Sequence, residues 1–117
     1  SMYIDAAQKP RFTYRLFDVK TIDLAGPALT AGDHVIRVNF DYNGPGFAKG
    51  GALTLFVNGK SVGTDTLPVS QPSMFNINET FDLGIDRGAP VGQYPKQPAP
   101  GFTLTGATID SVTIRAK

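Results

Sequence analysis

Ile36-Arg37-Val38-Asn39-Phe40-Asp41-Tyr42 alternates apolar with polar side chains over its whole length. Successive side chains of a strand point to opposite faces, so this spacing predicts a β-strand with Ile36, Val38, Phe40 and Tyr42 toward a core and Arg37, Asn39 and Asp41 toward water. The stretch sets the class of the fold, because its neighbours on either side repeat the same grammar.

Downstream, Leu53, Leu55 and Val57 alternate again, and Asn58-Gly59 follows at once. That pair tolerates the positive φ angles of a two-residue hairpin turn, so Lys60 to Thr66 is expected as the returning strand. Upstream, Arg11 to Ala25 is the longest run free of glycine and proline. Phe12, Leu16 and Val19 would suit a helix face. Phe12, Tyr14 and Leu16 also alternate, and the richness in β-branched and aromatic residues favours a strand.

Further along, Phe75 and Ile77, then Phe81 and Leu83, predict two short strands or one bent strand. Val112 and Ile114 share one phase and Ile109 the other, which predicts a bulge or turn near Asp110-Ser111 that lets both groups face the core. Four prolines between Ala89 and Gly101 mark a long ordered surface loop. With 13 glycines and 9 prolines as punctuation, the chain reads as all-β. About eight to ten short strands should form one domain over residues 1–117, most simply a two-sheet antiparallel β-sandwich. Ser1-Met2 reads as an expression remnant and carries no weight in this reading.

Composition narrows the function classes. A chain of 117 residues with 41% apolar and 18% charged side chains can bury roughly two-thirds of its unfolded surface and is too apolar to stay disordered. Eleven basic against ten acidic residues leave a net charge of +1, which gives no field to hold nucleic acid or an anionic membrane surface. No apolar run approaches the roughly 18 to 20 residues of a spanning helix. The absence of cysteine removes disulfides, thiolate metal sites and cysteine nucleophiles, and is compatible with a periplasmic, secreted or cytoplasmic setting.

Candidate chemistry is sparse. His34, the single histidine, has no imidazole partner for zinc and no nucleophile-elbow serine, so strand-entry packing is its ordinary role. Asp82 and Asp86 flank Gly84 and offer two carboxylates to calcium. They lack the ligand number of an EF-hand loop, and satisfying backbone amides in a turn is the simpler role. Glu79 and Asp82, three apart, would fall on opposite faces of a strand, which argues against a glycosidase pair. The glycine-rich stretch 43–51 lacks the order of a phosphate-binding loop and precedes a strand, so it reads as an inter-strand loop. Within it Phe47 and Lys49, together with Tyr3 of the entry segment, are candidates for contact with a partner or for self-association. Tyrosines in a sandwich also leave glycan binding as an alternative.

The run Ala31-Gly-Asp-His-Val-Ile-Arg-Val-Asn-Phe-Asp-Tyr-Asn-Gly44, followed by Lys49-Gly-Gly and Leu55-Phe-Val-Asn-Gly-Lys60, resembles the C-terminal region of bacterial arylsulfatases. Glu79 to Val91 and Phe102 to Ile114 resemble its later blocks, and Tyr3 to Tyr14 its entry, so the resemblance covers nearly the whole chain. It implies a jelly-roll or concanavalin-like sandwich that packs as a non-catalytic accessory domain on the catalytic domain of a sulfuric-ester hydrolase. The parent family uses a formylglycine made from a Cys/Ser-x-Pro-x-Arg motif, with a calcium ion. This chain has no cysteine and no such serine motif, so neither group transfers and the chain itself is expected to be no enzyme. Asn43 and Pro45 depart from the family's usual aspartate and glycine, and the proline-rich insert at 95–100 is longer than usual.

Overall fold

The computed structural model describes residues 1–72, 81–96 and 101–116, all without helix. Among these residues eight strands run in chain order: β1 (Met2–Ile4), β2 (Pro10–Leu16), β3 (Lys20–Ala25), β4 (Ile36–Tyr42), β5 (Gly51–Val57), β6 (Lys60–Leu67), β7 (Ile85–Asp86) and β8 (Phe102–Thr103). They form three small antiparallel sheets, β1-β2-β3, β4-β5-β6 and β7-β8.

The bounds of β4 coincide with the alternating stretch 36–42, and β5 and β6 are joined through Asn58 and Gly59 at φ 50° and 81°. Both residues occupy the left-handed region that a two-residue hairpin turn requires. The register shifts between Leu55, opposite Gly63, and Phe56, opposite Ser61, so Val62 is the extra residue of a bulge. Its side chain packs on the core. The stretch 11–25 holds two strands rather than one. It turns at Phe17, whose φ is 45°, and the Val19 amide donates to the Leu16 carbonyl at 2.9 Å.

The two three-stranded sheets share one core. Ile22 and Leu24 of β3 meet Leu53 and Leu55 of β5 and Leu67 of β6, all buried. Each such side chain contributes about 1.5–3 kcal/mol relative to exposure. β3 lies against β6, close enough that a Cβ on Gly63 would stand 3.6 Å from Leu24, and Lys20 Nζ reaches Asp65 Oδ2 at 3.5 Å. On the outer face of the second sheet the Arg37 guanidinium lies 4.2 Å above the Phe56 ring.

Two expectations need correction. Phe81 and Leu83 form no strand and are 73% and 55% exposed. The chain turns at Gly84, φ 76°, before the short β7 begins. Residues 104–116 are likewise outside any strand, with Val112 48% and Ile114 75% exposed instead of facing the core. Strand propensity becomes a strand only where a neighbouring strand is at hand to pair, and no described strand pairs with this segment. The expected strand at Phe75 and Ile77, and Glu79, lie outside the described residues.

Candidate interaction surface

Tyr42 closes β4, and its ring holds the loop that follows. Its hydroxyl donates to the Gly46 carbonyl and accepts from the Lys49 amide at 3.1 Å, while the Asn43 amide donates to the Gly50 carbonyl at 3.0 Å. Gly46, Ala48 and Gly50 all take positive φ, at 104°, 57° and 73°. The glycine-rich stretch is therefore an internally bonded platform. At its tip Phe47 is 87% exposed, with the exposed Lys49 two residues on. Phe40 and Tyr42 stand edge to face, centroids 5.8 Å apart, and both are partly exposed. A strip of aromatic surface thus runs along the end of β4 and continues into the loop.

Tyr3, the other contact candidate, sits in a different setting. From β1 it meets the Tyr94 ring at 4.7 Å, near-perpendicular, and its hydroxyl accepts from the Gln93 amide at 3.0 Å. A Cβ on Gly92 would come within 2.5 Å of the Tyr3 ring. Tyr94 in turn packs on Phe102 of β8, centroids 4.9 Å apart and the rings tilted by 60°. Tyr3 is part of the packing that ties the proline-rich segment to the N-terminal strand, a role the sequence conceals because its partners lie about ninety residues away.

The two acidic candidates are engaged locally. Asp82 Oδ2 accepts from the Arg87 amide at 3.2 Å. Asp86 Oδ1 accepts from the Gly88 amide at 3.0 Å, and its Oδ2 accepts from the Tyr94 hydroxyl at 2.6 Å. Burial, then the Asp86 carboxylate, pushes the Tyr94 phenol up to about 12. Among the described residues no three histidine, aspartate or glutamate side chains converge as a metal site would require.

His34 bridges two loops. Asn58 Oδ1 accepts from the Val35 amide at 2.9 Å, which fixes the amide orientation and aims Asn58 Nδ2 at His34 Nδ1, 3.1 Å away. Nδ1 must then accept, so the proton resides on Nε2, which donates to the Thr30 carbonyl at 2.8 Å. The ring is structural, locking the segment before β4 onto the β5-β6 turn.

Two hollows open among the described residues. One, about 200 Å³, opens between the two main sheets and is lined by Phe12, Tyr14, Val38, Phe40, Leu53 and Leu67. The other, about 450 Å³, lies between Leu83-Gly84 and the C-terminal segment around Ile109 to Val112. Neither was foreseen from the sequence: the first is walled largely by side chains that alternation assigns to a closed core, and the second includes Asp110 and Ser111, which alternation reads as a bulge or turn. Comparison with protein-family models, characterised proteins and solved structures gave no match.

Proposed function

We propose that this chain is a non-catalytic accessory domain, a two-sheet sandwich of the jelly-roll or concanavalin-like kind, that docks on the catalytic domain of an arylsulfatase. The family assignment rests on the resemblance of residues 31–60, 79–91 and 102–114. The observation that carries the docking role is Phe47, an aromatic side chain held 87% exposed at the tip of a loop braced by the Tyr42 hydroxyl. A loop that owes its shape to internal hydrogen bonds loses little conformational freedom on association, and a buried aromatic anchor is a common hot spot. Lys49 beside it favours an acidic rim on the partner. Calcium and formylglycine would belong to that partner.

The experiment measures binding of the chain to the catalytic domain of the parent sulfatase by titration calorimetry, alongside release of phenol from an aryl sulfate by the chain alone. Binding that Phe47→Ala weakens at least tenfold, with no hydrolysis by the chain alone, supports the reading. Absence of binding, or hydrolysis by the pure chain, overturns it.

A further inference from the structure

We propose that Asn43, at the neck of the glycine-rich loop, is a site of spontaneous deamidation, and that the fold withholds the same reaction from Asn58. Both residues precede a glycine. In that pairing the side-chain amide is most open to attack by the next main-chain nitrogen, because glycine puts no Cβ in the way. The Gly44 nitrogen gives up its proton to hydroxide and attacks Asn43 Cγ. A bond forms between that nitrogen and Cγ, the Cγ–Nδ2 bond breaks, and Nδ2 takes a proton from water and leaves as ammonia. Water then opens the five-membered imide. Cleavage at Cγ leaves aspartate, whereas cleavage at the main-chain carbonyl carbon leaves isoaspartate, with the chain running on through Cβ and Cγ. Nothing is oxidised or reduced.

The two asparagines differ in how their side chains are held. Both are exposed, so exposure does not separate them. The Asn43 main-chain amide is tied to the Gly50 carbonyl, but among the described residues no hydrogen bond holds its side chain or the Gly44 amide. Turning Cγ toward the Gly44 nitrogen therefore breaks nothing. The Asn58 side chain must first leave the Val35 amide, at 2.9 Å, and His34 Nδ1, at 3.1 Å, and react from that opened state. A tenfold difference in rate corresponds to about 1.4 kcal/mol, within what two net hydrogen bonds supply. Asn39 lies inside β4 opposite Thr54 and precedes a bulky phenylalanine, so it stays intact. Isoaspartate at position 43 inserts one main-chain atom between two ties of the loop, the Asn43 amide on Gly50 and the Gly46 carbonyl on the Tyr42 hydroxyl, and so loosens the platform. The inference is independent of the sulfatase reading.

The chain is aged at mildly alkaline pH, once folded and once in concentrated urea, and peptide mapping by mass spectrometry follows aspartate and isoaspartate at each position. Each conversion exchanges a neutral amide for a carboxylate and takes the net charge of +1 to zero, so ion exchange separates the products. In the folded chain Asn43 should convert at least tenfold faster than Asn58, and in urea the two rates should converge to within about threefold. Asn43→Gln should abolish the fast phase and leave the circular dichroism spectrum unchanged. Gly44 is not substituted, because a Cβ there would stand 2.8 Å from the Tyr42 ring. The separated isoaspartyl fraction should exchange its Lys49 amide hydrogen at least tenfold faster than the parent. Asn43 that stays intact in the folded chain overturns the proposal, as does Asn58 converting equally fast there. The same ratio of rates in urea as in the fold would show that local sequence decides, which overturns the protective role of the fold, and unchanged Lys49 exchange overturns the loosening of the loop.

Discussion

The Tyr94 hydroxyl donates to Asp86 Oδ2 at 2.6 Å, while its ring packs between Tyr3 of β1, near-perpendicular, and Phe102 of β8, tilted. One side chain thus joins the N-terminal strand to the small β7-β8 sheet. Tyr94→Phe keeps these ring contacts and removes the hydrogen bond to a carboxylate, for an expected loss of about 1–3 kcal/mol in urea unfolding. The phenol is raised from 10.0 to about 12 by burial and by Asp86. Between those values the folded state holds the proton that the unfolded state releases, so this contribution is full below pH 10 and is lost as pH rises toward 12. The alkaline fall in melting temperature should be shallower in Tyr94→Phe than in the unmodified chain; equal slopes would refute the linkage.

Gly50 is required by space as well as by conformation. Its φ is 73°, and a Cβ there would stand 2.2 Å from the Leu67 carbonyl oxygen, a backbone atom that cannot swing aside. Gly50→Ala should cost about 2–4 kcal/mol, combining left-handed strain with a forced shift of the β6 end. Gly59→Ala is the control. There φ is 81° but nothing lies within 4 Å of the added atom, so about 1–2 kcal/mol is expected. Equal losses in the two variants would show that the steric account of Gly50 is mistaken.

How much of this was legible follows the range of the interactions. The β4-β5-β6 meander is written locally, in the alternation at 36–42 and 53–57 and in Asn58-Gly59. The β2-β3 hairpin is hidden because its turn uses Phe17 in the left-handed region, with neither glycine nor proline to announce it. Strand propensity at Ile109 to Ile114 is plain, yet pairing needs a partner, and a sequence does not say whether one is within reach. The same holds for the site. That residues 43–51 form an inter-strand loop is legible in its glycines, whereas the bracing of that loop by Tyr42 and the withdrawal of Tyr3 beneath Tyr94 depend on contacts that alternation does not encode.

Asp5 organises the turn between β1 and β2. Its Oδ1 accepts from the amides of Ala7 and Lys9, both at 2.9 Å, and its Oδ2 stands 3.4 Å from the Arg11 guanidinium, which also pairs with Asp23. Partial burial would raise its carboxyl, but the Lys9 and Ala7 amides and Arg11 outweigh that and hold it below its ordinary value of 3.8. The ionised form therefore favours the fold above that value, and its contribution is lost as pH falls through the lower folded value. Asp5→Asn keeps an acceptor for the two amides but no charge. Its melting temperature should fall less than that of the unmodified chain between pH 4 and pH 2; a steeper fall would contradict the assignment.

Asn58 serves the β5-β6 turn in two separable ways. Its backbone sits at φ 50°, and its side chain accepts from the Val35 amide at 2.9 Å and donates to His34 Nδ1 at 3.1 Å. Asn58→Gly removes both side-chain bonds while easing the backbone, so the loss should be modest, about 1–2 kcal/mol for exposed hydrogen bonds. Asn58→Ala removes the same bonds and adds left-handed strain of about 1 kcal/mol, so it should be the less stable of the two. Both variants release His34 from its acceptor role, and the imidazole nitrogen shifts should move from a single Nε2-protonated tautomer toward a mixture. If alanine and glycine prove equally stable, the backbone conformation contributes nothing at this turn; if the histidine shifts are unchanged, the Asn58 amide does not set its tautomer.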